Sequence, residues 1–378
     1  MKIKVFEAFA GYGSQHIALK RLAKDYPDFS CEVVGISEID KNPILAYNAL
    51  HPDVHNYGDI SQIDWHQVPD FDLFTYSFPC QQLSKVGQQK GMKKGSNTTS
   101  SLVWDCLKAI TIKSPKWLLM ENVPDVLSDK HRADFDEWRL ELEKLGYENH
   151  ISILRSQDFG VPQSRSRAFM VSILGGGGYY FPKKISCDRR LKDVIEYDVA
   201  EKYYKDDKFL EKIPLSIRGV ETVCLNKKIN GKQPSLSHRI YDANGIAPCC
   251  TCSHHPYIAE PKIMQICNIC DDTAKFHNRT VGRVYSLEGI SPTLNTCGGG
   301  NREPLIYIDT RIRKLTPIEF LRLQDVGEED INKLTNIGLS DSAIYRLAGN
   351  SITISVLYHI FRKMFCELQS EDNQLTQF

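Results

Sequence analysis

The feature that most constrains the fold of this chain is a regular alternation of short apolar runs with segments of helical periodicity. Runs rich in β-branched and aromatic residues predict buried strands at 2–8, 32–37, 71–77, 116–120 and 168–174. Helical spacing of apolar residues occurs in 15–24, 43–50, 102–112 and 134–145. Strands that alternate with helices favour an α/β fold in which a mostly parallel, doubly wound sheet carries helices on both faces.

The periodic pattern stops after Phe181, and the chain is long enough for a second domain. Its 378 residues exceed the usual size of a single core. A stretch rich in Pro, Lys, Gly and Asn follows, and periodicity resumes only near Thr316. We therefore expect a large α/β domain in residues 1–182 and a smaller, β-rich domain after it.

An internal repeat lies within the irregular stretch. The segment 239–248 (RIYDANGIAP) is echoed 44 residues later by 283–292 (RVYSLEGISP). Two similar units with Gly-containing turns predict a pair of hairpin-like β ribbons. Between residues 212 and 283, ten basic side chains stand against five acidic ones, whereas the whole chain has 47 of each. If the chain meets phosphates, we expect it to do so in this region.

Composition excludes several classes of protein. A hydrophobic content of 42% and a charged content of 25% are typical of a globular protein. The N-terminal sequence does not resemble a signal peptide, and no run reaches the ~18 apolar residues of a membrane span, so we expect a cytoplasmic protein without membrane contact. The twelve cysteines are irregularly spaced, which favours reduced thiols over a disulfide framework.

Three features beside predicted strands suit a nucleoside-containing cofactor. A glycine-containing turn after the first strand, where backbone can approach a ligand at a helix N-terminus, comprises Phe9, Ala10, Gly11 and Gly13. Glu38 follows the second strand, where a carboxylate can accept hydrogen bonds from ribose hydroxyls, and Asp59-Ile60 precede the third strand. The turn by itself is equally typical of a tight strand-to-helix connection.

A candidate nucleophile, Cys80, follows the predicted strand 71–77. Glu121 follows strand 116–120, so its carboxylate should point into the same crevice. Arg165 and Arg167 lead into strand 168–174, and alternate side chains of an extended segment project on one side, where guanidinium groups can grip a carbonyl or a phosphate. A lone buried cysteine is usually inert, so the prediction depends on these neighbours.

These motifs together resemble the cytosine-C5 DNA methyltransferase family. The ordered set is FAGYG, PCQ, ENV, QSRSR, a variable region, RKLTP with RLQ, and AGNS, and it runs from Phe9 to Ser351. Each string is common alone, but their order across nearly the whole chain is highly specific. The resemblance implies a DNA (cytosine-5-)-methyltransferase with S-adenosylmethionine as cofactor and double-stranded DNA as substrate.

The resemblance also implies roles for individual residues. S-adenosylmethionine would be held by Phe9, Ala10, Gly11, Gly13, Glu38, Ile39, Asp59, Ile60, Pro79 and Leu102, with Asn350 and Ser351 closing the site from the C-terminus. The base would be met by Cys80, Glu121, Arg165 and Arg167, with Asn122 orienting the loop. Residues 1–182 would then be the catalytic and cofactor-binding domain, 183–342 the target-recognition domain and hinge, and 343–378 a segment that returns to the catalytic domain.

In the chemistry that this resemblance implies, the Cys80 thiolate adds to carbon 6 of a cytosine flipped out of the duplex. Glu121 protonates ring nitrogen 3, and Arg167, supported by Arg165, stabilises charge at the carbonyl oxygen. Water, rather than a side chain, would take the carbon-5 proton.

Two segments are expected to contact DNA. The loop 81–101 would close over the flipped base, with Gly87, Gly91 and Gly95 as hinges and with phosphate contacts from Ser84, Lys85, Lys90, Lys93 and Lys94. The second repeat, from Arg283 to Gly300, resembles the family's target-recognition element, and Thr293-Leu294 fits the Thr-Leu pair by which that element contacts DNA near the flipped base. The lysines are equally consistent with a solvated basic loop.

Departures from the pattern leave alternatives open. Ile39 stands where many relatives carry an aromatic, which predicts modestly weaker cofactor binding. One cluster has residues suited to zinc, but with only one paired spacing we expect no metal: Cys249, Cys250, Cys252, His254, His255, Cys267 and Cys270. The competing functions are an RNA cytosine methyltransferase, a catalytically silent DNA-binding relative and an NAD-dependent enzyme. We expect a monomer, with a cognate restriction endonuclease as a candidate partner.

Overall fold

The computed structural model describes residues 1–83, 90–96, 98–204, 240–241, 257–258, 264–269, 282–296, 303–308 and 311–367. The described strands are β1 Lys2–Ala8, β2 Ser30–Ser37, β3 Leu73–Tyr76, β4 Trp117–Asn122, β5 Tyr147–Arg155, β6 Gln163–Ser164, β7 Ser166–Leu174, β8 Ile240–Tyr241, β9 Tyr257–Ile258, β10 Gln265–Asn268, β11 Arg283–Tyr285, β12 Ser291–Pro292, β13 Leu305–Ile308 and β14 Arg311–Lys314. The described α-helices are α1 Ser14–Asp25, α2 Lys41–Leu50, α3 Val103–Lys113, α4 Arg132–Lys144, α5 Pro317–Arg322, α6 Glu328–Asn336, α7 Asp341–Asn350 and α8 Ile354–Arg362.

The main sheet has six strands in the order β2-β1-β3-β4-β7-β5. Strands β1 to β4 pair in parallel, whereas β7 runs antiparallel to both β4 and β5. All five strands predicted from the sequence are present and the sheet is mostly parallel, as expected. The edge strand β5 was not predicted.

Side chains alternate between two apolar layers on opposite faces of this sheet, which is why its central strands, such as β3 and β4, are nearly continuous apolar runs. In β4, for example, Leu119 joins the layer that contains α1 and α8, whereas Leu118 and Met120 join the layer that contains α3 and α4. The four predicted helices form within two residues of their expected bounds. Helices therefore cover both faces, which confirms the predicted fold class.

A second sheet of four strands has the order β10-β11-β13-β14. The expectation of hairpin-like ribbons is wrong for the described part of the repeat, because β11 pairs with β13 in parallel. Strand β12, which lies between β11 and β13 in the sequence, pairs in parallel with β6. Strand β6 directly precedes the main-sheet strand β7. In the first copy, β8 also pairs in parallel with β9. The two copies thus share a parallel pairing.

The last described helices return to the beginning of the chain. Helix α8 packs against α1, and the ring of Phe365 stacks on that of Phe29 with centroids 5.4 Å apart. Helix α7 contacts α2, which follows Glu38. Within the described ranges, no helix has both the length and the apolar character needed to cross a bilayer.

Candidate active site

The first part of the site is the glycine-containing turn between β1 and α1. Phe9, Gly11 and Gly13 have positive φ values of 56°, 59° and 87°. Gly13 is the N-cap of α1, and an added Cβ would lie 2.7 Å from the imidazole Nε2 of His51. A Cβ on Gly11 would meet open space, because this residue lines a cavity of about 290 Å³. Gly13 therefore allows close packing of the turn, and Gly11 leaves room for a ligand.

The carboxylate of Glu38 joins this turn to the start of α2. Its oxygens accept hydrogen bonds from the backbone amides of Gly11 at 3.0 Å, Ile39 at 2.8 Å and Asp40 at 2.9 Å. Asp59 caps the short helical turn that starts at Ile60 by accepting from the Ser61 amide at 2.9 Å. Both acids line the cavity. Two carboxylates beside an open glycine turn are suited to hydroxyl and amino groups of a nucleoside.

The thiol of Cys80 opens into the same cavity. It lies in the segment after β3, whose position is fixed by the amide of Asn122, since Nδ2 donates to the Phe78 carbonyl at 3.0 Å. Ser100 also donates to the Pro79 carbonyl, at 2.5 Å. The hydrogen bond of Asn122 places the Cys80 segment beside the end of β4, where Glu121 lies.

Glu121 and Arg167 form a partly buried ion pair with Nε and Oε1 3.0 Å apart. The reversed direction of β7 makes this contact possible, because the start of β7 lies beside the carboxyl end of β4. Both side chains line the cavity with Cys80. The structure therefore brings together the thiol, the acid and one guanidinium group, as the sequence predicted.

Burial dominates the ionisation of this group. It raises the pKa of the Cys80 thiol, an effect that Arg167 and, more weakly, Arg165 oppose and that the charge of Glu121 reinforces. Burial also raises the pKa of Glu121, against the lowering effect of Arg167. A proton on Glu121 therefore removes a negative charge that disfavours the Cys80 thiolate. Protonated Glu121 and ionised Cys80 favour one another.

Arg165 does not line this cavity, in contrast to the expectation that it meets the base. Its side chain is 2% exposed and donates to the carbonyls of Leu294, Gly349 and Ser351. Burial, followed by the charge of Arg167, lowers its pKa to about 9, so it remains a cation at neutral pH. The prediction that both arginines project on one side fails because Arg165 precedes β7, where the backbone turns.

The residues predicted to contact DNA differ in how exposed they are, and some lie outside the described part of the chain. Thr293 is exposed and its hydroxyl donates to the Ser164 carbonyl, but Leu294 is 2% exposed, so its side chain packs in the core instead of facing a ligand. Lys90 is exposed, and Arg283 is half-buried at the start of β11. Ser84, Lys85 and Gly87 lie outside the described residues, as do six of the seven candidate zinc ligands and the side chain of Cys267.

The cavity also contains residues that sequence reasoning missed. Arg346 and Leu347 of α7 line it beside Asn350 and Ser351, and Arg346 forms an ion pair with Asp40 at 3.2 Å. Ser77 forms a hydrogen bond with Glu121. No spacing rule marks these positions, although Ser77 and Arg346 lie within three and four residues of motifs that were identified. The remaining predicted residues Ala10, Pro79 and Leu102 line the same cavity.

Solved structures define the class of fold. The chain is similar to the Entamoeba histolytica methyltransferase EhMeth, with a TM-score of 0.67 and 15% identity over 97% of this chain and 99% of that one. It is also similar to the S. pombe Dnmt2 methyltransferase, with a TM-score of 0.63 and 17% identity over 98% of this chain and 99% of that one. The chain therefore has the same overall fold as these two methyltransferases.

Sequence comparison identifies the family. Residues 3–366 match the family model of the C-5 cytosine-specific DNA methylases. The type II methyltransferase M2.ScrFI of Lactococcus lactis subsp. cremoris is 30% identical over 96% of this chain and 99% of its own length. The orphan methyltransferase M.Rho11sI of Bacillus phage rho11s is 26% identical over 99% of this chain and 100% of its own length. The chain belongs to the C-5 cytosine-specific DNA methylase family and is a DNA cytosine methyltransferase.

Proposed function

We propose that this enzyme methylates carbon 5 of a cytosine flipped out of a specific duplex site, through a covalent adduct with Cys80. The observation that carries the proposal is the shared cavity of Cys80, Glu121 and Arg167, continuous with the Gly11 turn and Glu38. A base stacked in a duplex does not expose its carbon 6 to a thiol in such a cavity. Flipping is therefore part of the proposal.

The residues of the cavity suit S-adenosylmethionine. Glu38 and Asp59 offer carboxylate oxygens for ribose hydroxyls and the adenine amino group, while Phe9, Ile60 and Leu102 offer apolar surface. Asn350 and Ser351 line the same space from the C-terminal segment. The open space beside the Gly11 Cα leaves room for the ligand. When bound, this cofactor supplies an electrophilic methyl group on a sulfonium.

The side chains then act on the cytosine. The Cys80 sulfur forms a bond to carbon 6 while protonated Glu121 donates its proton to nitrogen 3, so carbon 5 gains the electron density of an enamine. Arg167, held by Glu121, stabilises the developing charge at the carbonyl oxygen. After carbon 5 has gained the methyl group, it loses its proton to water, the carbon–sulfur bond breaks to release the Cys80 thiolate, and nitrogen 3 returns its proton to Glu121.

Positioning residues support this arrangement. Asn122 fixes the Cys80 segment through the Phe78 carbonyl, and Ser77 holds Glu121. We assign DNA recognition to the part of the chain in 183–342, with the exposed Thr293 near the site, and assign catalysis and cofactor binding to 1–182 with 343–378. Since similar proteins include type II and orphan phage methyltransferases, the proposed role is modification of DNA by a monomer, either beside a cognate restriction endonuclease or without one.

The test uses tritiated S-adenosylmethionine with duplex DNA and, in parallel, transfer RNA. We expect label in DNA, none in RNA, and loss of transfer in Cys80→Ser, while Cys366→Ser, which changes a half-buried thiol outside the cavity, serves as the matched control. Sequencing of the labelled DNA maps the target site. A duplex with 5-fluorocytosine at that site should trap a denaturation-resistant adduct, because fluorine cannot leave as a proton does. Transfer to RNA alone, or adduct formation by Cys80→Ser, would refute the proposal.

A further inference from the structure

The guanidinium group of Arg165 joins two segments that the chain separates widely. Its Nη1 donates to the carbonyl of Leu294 at 3.2 Å, and its Nη2 donates to those of Gly349 at 3.0 Å and Ser351 at 2.5 Å. The side chain is 2% exposed. We propose that Arg165, with the contact it stabilises between 294–296 and 349–351, couples DNA binding to cofactor binding in this enzyme. The inference rests on the proposed function and adds a positioning residue to it.

The two segments are packed without space between them. An added Cβ on Gly349 would overlap the carbonyl group of Asn295 and lie 2.8 Å from the amide nitrogen of Thr296. The 293–296 segment is also fixed by hydrogen bonds to β6. The Gln163 side chain accepts from the Leu294 amide at 3.3 Å, and the Thr293 hydroxyl donates to the Ser164 carbonyl. A shift of either segment therefore moves the other.

The outer and inner faces of this contact belong to different sites. On the outer face, Thr293, Asn295 and Thr296 are exposed, next to the segment we assign to DNA recognition. On the inner face, Gly349 and Ser351 line the cofactor cavity. The Ser351 hydroxyl accepts from the hydroxyl of Tyr12 at 3.1 Å, which connects it to the glycine-containing turn. The backbone of residues 294–296 and 349–351 thus lies between the proposed sites for DNA and for the cofactor.

Charge makes the contact close to all-or-none. A buried guanidinium that loses its carbonyl acceptors is left as an unpaired buried cation, which is strongly unfavourable. The three hydrogen bonds should therefore form together or be replaced together. If DNA stabilises these hydrogen bonds from the outer face, it raises the affinity for the cofactor on the inner face. The cofactor must then raise the affinity for DNA by the same factor.

The test measures the factor by which DNA and S-adenosylhomocysteine each raise the affinity of the enzyme for the other. Anisotropy of a labelled duplex that carries the mapped target site gives DNA affinity with and without saturating S-adenosylhomocysteine, and calorimetry gives S-adenosylhomocysteine affinity with and without the duplex. We expect about a 5-fold or larger mutual increase in the wild type, because coupling free energies between sites typically amount to about 1–3 kcal/mol. Each protein must be fully folded under the assay conditions, because reversible unfolding would itself make either ligand raise the apparent affinity for the other.

Three variants and a control decide the outcome. Arg165→Met and Gly349→Ala should each reduce the factor below about 2-fold, and Arg165→Lys, which keeps a cation with three donors, should restore part of it. Arg313→Lys is the matched control: Arg313 is also fully buried but pairs with Glu319 outside the cavity, so we expect wild-type coupling. If Arg165→Met does not fold, Gly349→Ala and Arg165→Lys still decide.

Two failures can be told apart. A wild type that binds S-adenosylhomocysteine and methylates duplex DNA but shows no coupling, or coupling retained in Arg165→Lys and Gly349→Ala without reduction, overturns the inference alone. A wild type that binds neither ligand overturns the proposed function as well.

Discussion

Replacement of Glu121 by Gln tests the electrostatic relation between the acid and the thiol. The substitution keeps the shape of the side chain but removes a negative charge 3.0 Å from the Arg167 guanidinium. At that distance, a unit-charge pair has a gross energy of about 5 kcal/mol at an effective dielectric constant of about 20. Because burial outweighs this attraction and raises the pKa of Glu121, we expect the neutral amide not to lower the free energy of unfolding at neutral pH.

The catalytic effect has a separate cause. Without a proton donor at nitrogen 3, methyl transfer should fall by a factor of about 10²–10⁴. The Cys80 thiol should change in the opposite sense, because the charge of Glu121 contributes to the raised pKa of Cys80. Glu121→Gln is therefore expected to be alkylated faster by iodoacetamide at neutral pH although it is nearly inactive.

The raised pKa values of Cys80 and Glu121 also predict how activity depends on pH. Wild-type activity should rise with pH as Cys80 ionises and fall as Glu121 loses its proton, and both pKa values are raised by burial. In Glu121→Gln the fall at high pH should disappear, since the amide does not titrate. The measurements are initial rates of methyl transfer and alkylation rates from about pH 5 to about pH 10, because the pKa of Glu121 is raised from 4.5 and that of Cys80 from 9.0, with Cys80→Ser as the blank. Slower alkylation, or activity within about threefold of wild type, would refute the reasoning.

Three further predictions concern affinity and stability. Ile39→Trp should tighten S-adenosylhomocysteine binding by about 0.5–1.5 kcal/mol in calorimetry, since the 70% exposed Ile39 lines the cavity and an indole can stack on adenine; weaker binding would contradict this. Burial raises the pKa of Glu7 from 4.5 to about 8, so the stability contributed by its protonated form is present below pH 4.5 and lost as pH rises through 8. Glu7→Gln should thus gain about 4 kcal/mol relative to wild type between pH 5 and 9 in urea unfolding, and a pH-independent difference would oppose that. Glu319→Gln breaks a fully buried ion pair with Arg313 and should cost about 3–5 kcal/mol in the same assay; a cost below about 1 kcal/mol would count against the pair.

The fold could be predicted where one physical signal dominates. Strands buried on both faces have apolar runs, so β1 to β4 and β7 were predicted. The edge strand β5 has the sequence YENHISILR, in which exposed Glu148, Ile151 and Ile153 alternate irregularly with less exposed positions, so periodicity was weak. The direction of β7 depends on β5: only ten residues separate them, too few for a parallel crossover, which needs about a dozen or more.

The site could be predicted where chemistry fixes the residue type. A thiol, an acid and a glycine turn at strand ends identified Cys80, Glu121 and Gly11. The sequence does not distinguish Arg165 from Arg167, because two arginines at alternate positions look equivalent until the backbone turn at Gln163–Arg165 is known. The burial of Leu294 depends on the pairing of β12 with β6, a contact between segments more than a hundred residues apart. Such contacts leave no local pattern.

The stacking of Phe365 on Phe29 brings the two ends of the described chain side by side, since the Met1 ammonium donates to the carbonyl of the adjacent Asp28. Neighbouring ends of this kind are what make circular permutation tolerable in a domain. A linker from the C-terminal segment to Met1, with new ends opened between Gly11 and Ser351, would place Ser351 ahead of Gly11 in the sequence and leave their positions in space unchanged. The linear order in which a gene encodes these segments is therefore separable from the chemistry they perform together.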